Sequence, residues 1–137
     1  MKKDLPENIV NDISIAIVLE GDTPTENFWN VYLVNEKDVP LETIFVTSKG
    51  YGEKEGNQVT TSTLRHMLGD IPAQSFVKIE AIDAQVFGLT NEYWLSFYVN
   101  QVLYDKKYIF LPESVVEENF TKIPLVNKPG VLIGGEK

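Results

Sequence analysis

The chain has 137 residues, 43% of them hydrophobic, which is enough to bury one core without covalent staples. It contains no cysteine, excluding disulfides, thiolate metal sites and a cysteine nucleophile, and its net charge of -8 opposes binding to a phosphate backbone. The longest apolar run at its start, Ile15 to Leu19, is far too short to span a membrane.

Residues 1–11 are polar and hold Pro6, which predicts a flexible N-terminal segment ahead of one domain over residues 12–137. Lys2 and Lys3 are followed by Asp4, Pro6, Glu7 and Asn8 where a signal peptide needs apolar residues, so a soluble, cytoplasmic protein is expected. Ile13, Ile15, Ile17 and Leu19 alternate with Ser14, Ala16, Val18 and Glu20, the period of two of a half-buried strand. "GDTPTEN" breaks that strand, and "FWNVYLVNE" supplies the next, rich in aromatic and β-branched residues. After the turn "NEKDVPLE", Thr43 to Ser48 form a third strand. "KGYGEKEGN" then reads as a mobile hairpin loop.

Val59 to Leu68 begins as a Thr-rich alternation and ends in a pattern compatible with a helical turn; one strand is the expectation. "FVKIEAI" makes a further strand after the "GDIPAQS" turn. "NEYWLSFYV" and "LYDKKYIFL" are antiparallel runs around Asn100-Gln101. Ser114 and Glu117 have the spacing of a capping box, which predicts one short helical turn, and the tail carries a final apolar stretch, Val131 to Ile133.

Short strands with turn signals at intervals near ten residues, and almost no helix, predict an all-β fold of about seven strands. The run "WNVYLVNEKDVPLETIFVTSKG", followed by "LGDIPAQSFVKIEAI", resembles immunoglobulin-like, fibronectin III-like β-sandwich modules over roughly Trp29 to Leu111. The cysteine pair of antibody domains is missing. "TSKGYGE", "TSTLRHML", "FGLTNEYWLSFYV" and "YDKKYIFLPESVVEENFT" together are similar to a family of small uncharacterised bacterial proteins, some labelled phenylalanyl-tRNA synthetase. That similarity implies a shared fold and, through the label, an accessory role in translation. The chain itself has no ATP-binding signature and no class II synthetase motif.

The candidate site follows from strand geometry. In "NEYWLSFYVN", Tyr93, Leu95, Phe97 and Val99 share one face, the natural core, and Trp94, Ser96 and Tyr98 share the other. A two-residue loop at Asn100-Gln101 sets Phe97 opposite Tyr104, Val99 opposite Val102 and Trp94 opposite Lys107. The Trp94 and Tyr98 face is then either a binding platform, with a cation-π contact from Lys107, or a surface covered by the tail or the N-terminal segment. Arg65 and His66 form a second small cationic candidate. His66 is the only histidine, so neither a multi-histidine metal site nor a triad assembles around it; a structural role is the simpler reading.

The Gly-x-Gly of "KGYGEKEG" is followed by Glu53 and Glu55, which repel phosphate, so it reads as a turn and not a phosphate loop. These readings predict no catalytic residue, no metal and no cofactor. They favour a non-enzymatic interaction module with a protein partner or self-association. The alternatives are small-ligand or carbohydrate binding through the aromatic face, and the translation accessory role.

Overall fold

A computed structural model of the chain describes residues 8–21 and 27–134. The chain forms β1 (Ile13–Glu20), β2 (Phe28–Asn35), β3 (Leu41–Lys54), β4 (Asn57–Thr60) and β5 (Leu64–Ile71). These are followed by β6 (Ser75–Ile82), β7 (Thr90–Val99), β8 (Val102–Phe110), β9 (Thr121–Lys122) and β10 (Pro129–Gly134). Two 3-10 turns, Ala84–Gly88 and Glu117–Asn119, complete the regular structure, and no α-helix occurs among the described residues.

All pairings are antiparallel and build two five-stranded sheets packed as a sandwich. The first has the order β6-β2-β1-β10-β9; the second runs β4-β3-β7-β8, with β5 also paired to β3. In immunoglobulin lettering, β6-β2-β1 takes the order E-B-A, and β4/β5-β3-β7-β8 takes C′-C-F-G. There are ten strands instead of about seven, because the C′ position is split into β4 and β5 and the C-terminal segment adds β9 and β10. The segment read as one strand over Val59 to Leu68 is therefore interrupted at residues 61–63.

The core lies between the sheets. Ile13, Ile15 and Ile17 of β1 and Val31 and Leu33 of β2 pack against Val46 of β3, Tyr93, Leu95 and Phe97 of β7, and Tyr108 and Phe110 of β8. The alternation of these sequences dictates that placement, since one side chain in two points inward. Two tyrosines also tie the sheets by hydrogen bonds. The Tyr108 hydroxyl donates to the Ile13 carbonyl at 2.8 Å, and the Tyr93 hydroxyl to Glu80 at 2.8 Å. Gly134, at φ +90°, leaves room for the Tyr108 ring, whose edge would lie 2.5 Å from a Cβ there.

β1 is buried on both faces and not half-buried as its alternation suggests. Ala16 and Val18 point away from the main core, yet Val34, Ile123 and Val126 cover them in a second, smaller cluster. The C-terminal segment thus roofs the first sheet. The glycine-rich stretch is also different from expectation: β3 continues through it to Lys54, and only Glu55 and Gly56, both at positive φ, form the turn. Ser114 makes no capping box. Its hydroxyl donates to the Leu111 carbonyl at 2.7 Å, and the 3-10 turn at Glu117 starts without a side-chain cap.

Of the segment expected to be flexible, residues 1–7 lie outside the described residues. In the remainder, Val10 is buried against the core and the Asn8 side-chain amide donates to the Leu103 carbonyl at 2.7 Å.

Candidate functional site: the open face of the second sheet

The β7-β8 hairpin has the register that its sequence predicts. Phe97 faces Tyr104, Val99 faces Val102 and Trp94 faces Lys107. Asn100 and Gln101 have φ values of 50° and 67°, the two consecutive left-handed residues that a two-residue hairpin matched to strand twist requires. The inward set packs in the core, where the rings of Phe97 and Tyr104 stack 5.4 Å apart.

The outward set is exposed: Trp94 keeps 43% of its surface in solvent, Tyr98 38% and Leu103 47%. The Lys107 ammonium sits 5.1 Å from the Trp94 ring centroid, a cation-π distance. Pairing of β3 with β7 and with β5 extends this row. Thr47 lies beside Trp94 on one side and Arg65 on the other, so Arg65, Thr47, Trp94 and Lys107 follow one another across four strands. The next row holds Met67, Phe45, Ser96 and Asp105, with Met67 83% exposed. Lys49, opposite Glu92, starts the row on the other side. The structure places the candidates Trp94, Tyr98, Lys107 and Arg65 on this face together with Phe45, Met67 and Lys49, which the sequence did not indicate because the pairings of β3 that bring them alongside are long-range.

Arg65 and His66 do not form one patch. As neighbours on a strand they point to opposite faces, Arg65 outward and His66 toward the first sheet. His66 Nε2 lies 2.8 Å from Glu80 Oε1 on β6, the edge strand of the other sheet. The same carboxylate accepts from the Ser48 hydroxyl at 2.9 Å and from Tyr93. Burial, reinforced by Glu80, pushes the Tyr93 phenol far above its ordinary value. Ser48 donates to the carboxylate and not to the imidazole, so the cluster lacks the serine-histidine contact on which nucleophile activation depends. It acts as a clasp between the sheets.

A second polar cluster closes the roofed face of the first sheet. Glu20 accepts from Asn30 at 2.6 Å, from the Tyr32 hydroxyl, and from Lys128 at 2.6 Å. Burial opposes ionisation of Glu20, but these donors and the Lys128 charge outweigh it and hold the carboxyl at about 2. Burial and the neighbouring carboxylate raise Tyr32 to about 12. The contacts pin the C-terminal segment through Lys128.

Among the described residues, no group of three or more histidine, aspartate or glutamate side chains is placed to hold a metal ion, and no helix is long and apolar enough to cross a membrane. A groove of about 450 Å³ lies between the β3-β4 hairpin and the Ala84–Gly88 turn, lined by Glu53, Glu55, Val59, Leu89 and Glu113, away from the Trp94 row.

No family model matches the chain, and no curated protein or solved structure matches it.

Proposed function

We propose that the protein is a non-enzymatic interaction module whose contact surface is the outer face of β5, β3, β7 and β8, centred on Trp94. One asymmetry carries this reading: Ile123 and Val126 roof the centre of the first sheet's outer face and leave Phe28 and Phe76 open only toward its margins, whereas the second sheet has no such cover among the described residues and leaves Trp94, Tyr98, Met67 and Leu103 in solvent. Exposed aromatic and methionine side chains on a flat, rigid sheet are the composition of a protein-binding patch, since large apolar surface gains most when a partner removes it from water. Tryptophan is prominent among residues that dominate such interfaces. A net charge of -8 favours a protein over a nucleic acid as that partner. The resemblance to the synthetase-labelled family would make the partner a component of the translation machinery.

The test is affinity enrichment of the tagged protein from lysate of its source, after nuclease treatment, in parallel with Trp94→Ala and Tyr98→Ala. The expected result is a partner recovered with the wild type and reduced about tenfold or more with Trp94→Ala, in line with loss of a binding hot spot. Far-ultraviolet circular dichroism of each variant should be unchanged. Equal recovery by folded Trp94→Ala would overturn the assignment of this face. A concentration series by sedimentation identifies the case in which the partner is a second copy. Carbohydrate binding through Trp94 is read by a shift in tryptophan fluorescence with a glycan panel.

A further inference from the structure

Resting on that reading of the face, we infer that its partner is an extended acidic peptide segment lying across the strands, with two carboxylates four residues apart and an apolar side chain between them.

The first observation is the charge of the row itself. The chain has 20 acidic and 12 basic residues, yet the side chains at the two ends of this row are Arg65 and Lys107, with Lys49 one row away. Among the described residues none of these three has a carboxylate within ion-pair distance: the ion pairs are His66 with Glu80 and Lys128 with Glu20. Lys49 and Lys107 rest instead on aromatic rings, 5.7 Å from that of Tyr51 and 5.1 Å from that of Trp94. Glu92, the acid nearest Lys49 by register, accepts a hydrogen bond from the Tyr51 hydroxyl at 3.1 Å. In so acidic a protein, Arg65 and Lys107 flank the exposed Trp94 within one row, unpaired with Glu92 and Asp105 in the rows on either side, and that row is complementary to an anion supplied from outside.

The second observation is spacing. Arg65 and Lys107 stand on β5 and β8, three strand spacings apart, which is about 14 Å at ~4.8 Å each. Four residues of extended chain cover about 13 Å at ~3.3 Å each. In an extended chain, residues i, i+2 and i+4 share a face. Carboxylates at i and i+4 therefore reach Arg65 and Lys107 together, while the side chain at i+2 lies over the junction of Thr47 and Trp94. The surface is a pleated sheet and not a concave pocket, which suits a chain better than a small anion. Asp105, in the adjoining row, and Glu42, opposite Tyr98, repel a peptide that slips toward the Asn100 turn and so fix its row.

The experiment is selection of a displayed library of random twelve-residue peptides on the intact wild-type protein at low salt. It is followed by fluorescence anisotropy with the enriched peptides and with their versions carrying Gln for each acidic residue. The expected result is enrichment of sequences with acidic residues at i and i+4 flanking an apolar one. Arg65→Glu together with Lys107→Glu should weaken binding tenfold or more, as should the Gln peptides, and raising salt from 50 to 300 mM should weaken it further through screening. Lysine-for-acid peptides should recover binding to the doubly reversed variant, a gain that misfolding cannot produce. Enrichment of neutral or basic peptides that are lost with Trp94→Ala would overturn the acidic partner while leaving the face in place. Peptides whose binding ignores Trp94→Ala would overturn the face as well. Absence of enrichment, or tighter retention of the protein by heparin or by phosphatidylserine vesicles than by any peptide, would also overturn the inference.

Discussion

The Tyr93 hydroxyl on β7 donates to the Glu80 carboxylate on β6 at 2.8 Å, joining the two sheets. Glu80 also takes Ser48 and His66, so one carboxylate holds three side chains from the opposite sheet. Tyr93→Phe removes one donor and leaves a part-buried carboxylate lone pair without its partner, a loss of about 1–3 kcal/mol. For a chain of this size that is a fall in melting temperature of roughly 3–12 °C, measured by calorimetry at neutral pH. A shift below 1 °C would mean that water replaces the phenol there.

Acid should weaken the hold on the roof over the first sheet. Glu20 titrates at about 2 in the folded protein against an ordinary 4.5. Because its folded value is depressed, its contribution to stability is fully present above about 4.5 and is lost as the pH falls from there toward 2. Glu20→Gln should therefore be less stable than the wild type at pH 6 and close to it at pH 2. Paired melting curves across that range check the sign; a constant difference would contradict it.

The hairpin turn at Asn100-Gln101 can be improved. Gln101 is held at φ 67°, a region costly for a residue with a Cβ, and Asn-Gly is the preferred dipeptide of this turn. Gln101→Gly should stabilise by about 0.5–1 kcal/mol without changing the register that sets Trp94 against Lys107. Denaturant titration gives the first result, and cross-strand nuclear Overhauser contacts between residues 94 and 107 give the second.

Gly130 is where β10 presses closest on β1. A Cβ there would collide with the Ile17 carbonyl oxygen and stand 3.0 Å from the Val18 Cα, both backbone atoms that cannot step aside. Gly130→Ala should cost about 1–3 kcal/mol or more and raise amide exchange selectively along Ile17 and Val18, the β1 residues nearest it in the ladder. Uniform exchange across both sheets would instead indicate global destabilisation.

Much of the second sheet is legible in the sequence because its information is local. Alternation over Tyr93 to Val99 separates core from surface, and the hairpin turn places Trp94 opposite Lys107 without reference to any other strand. The first sheet is less so. Nothing local in "KIPLVNKPG" says that Ile123 and Val126 will lie on Ala16 and Val18, so the outer side of β1 reads as exposed when it is buried. The extension of β3 to Lys54 was hidden by Gly50 and Gly52, whose turn-like composition reflects close packing: a Cβ at Gly50 would lie 3.1 Å from the Asn91 side chain. Arg65 and His66 illustrate a further limit. Adjacency in sequence suggests one site, while the pleat sends them to opposite sides of the sheet.

The pairing of β1 with β10 has a consequence during synthesis. Ile15 meets Ile133, so β1 emerges from the ribosome more than a hundred residues before the strand that will satisfy its free edge. Closing so long a loop carries a large entropic cost and slows assembly. Until β10 arrives, Ala16 and Val18 form an unroofed apolar strip beside an unpaired backbone, a surface that invites misassociation between nascent chains. A chaperone that shields β1 during synthesis would therefore act before β10 is available to complete the first sheet.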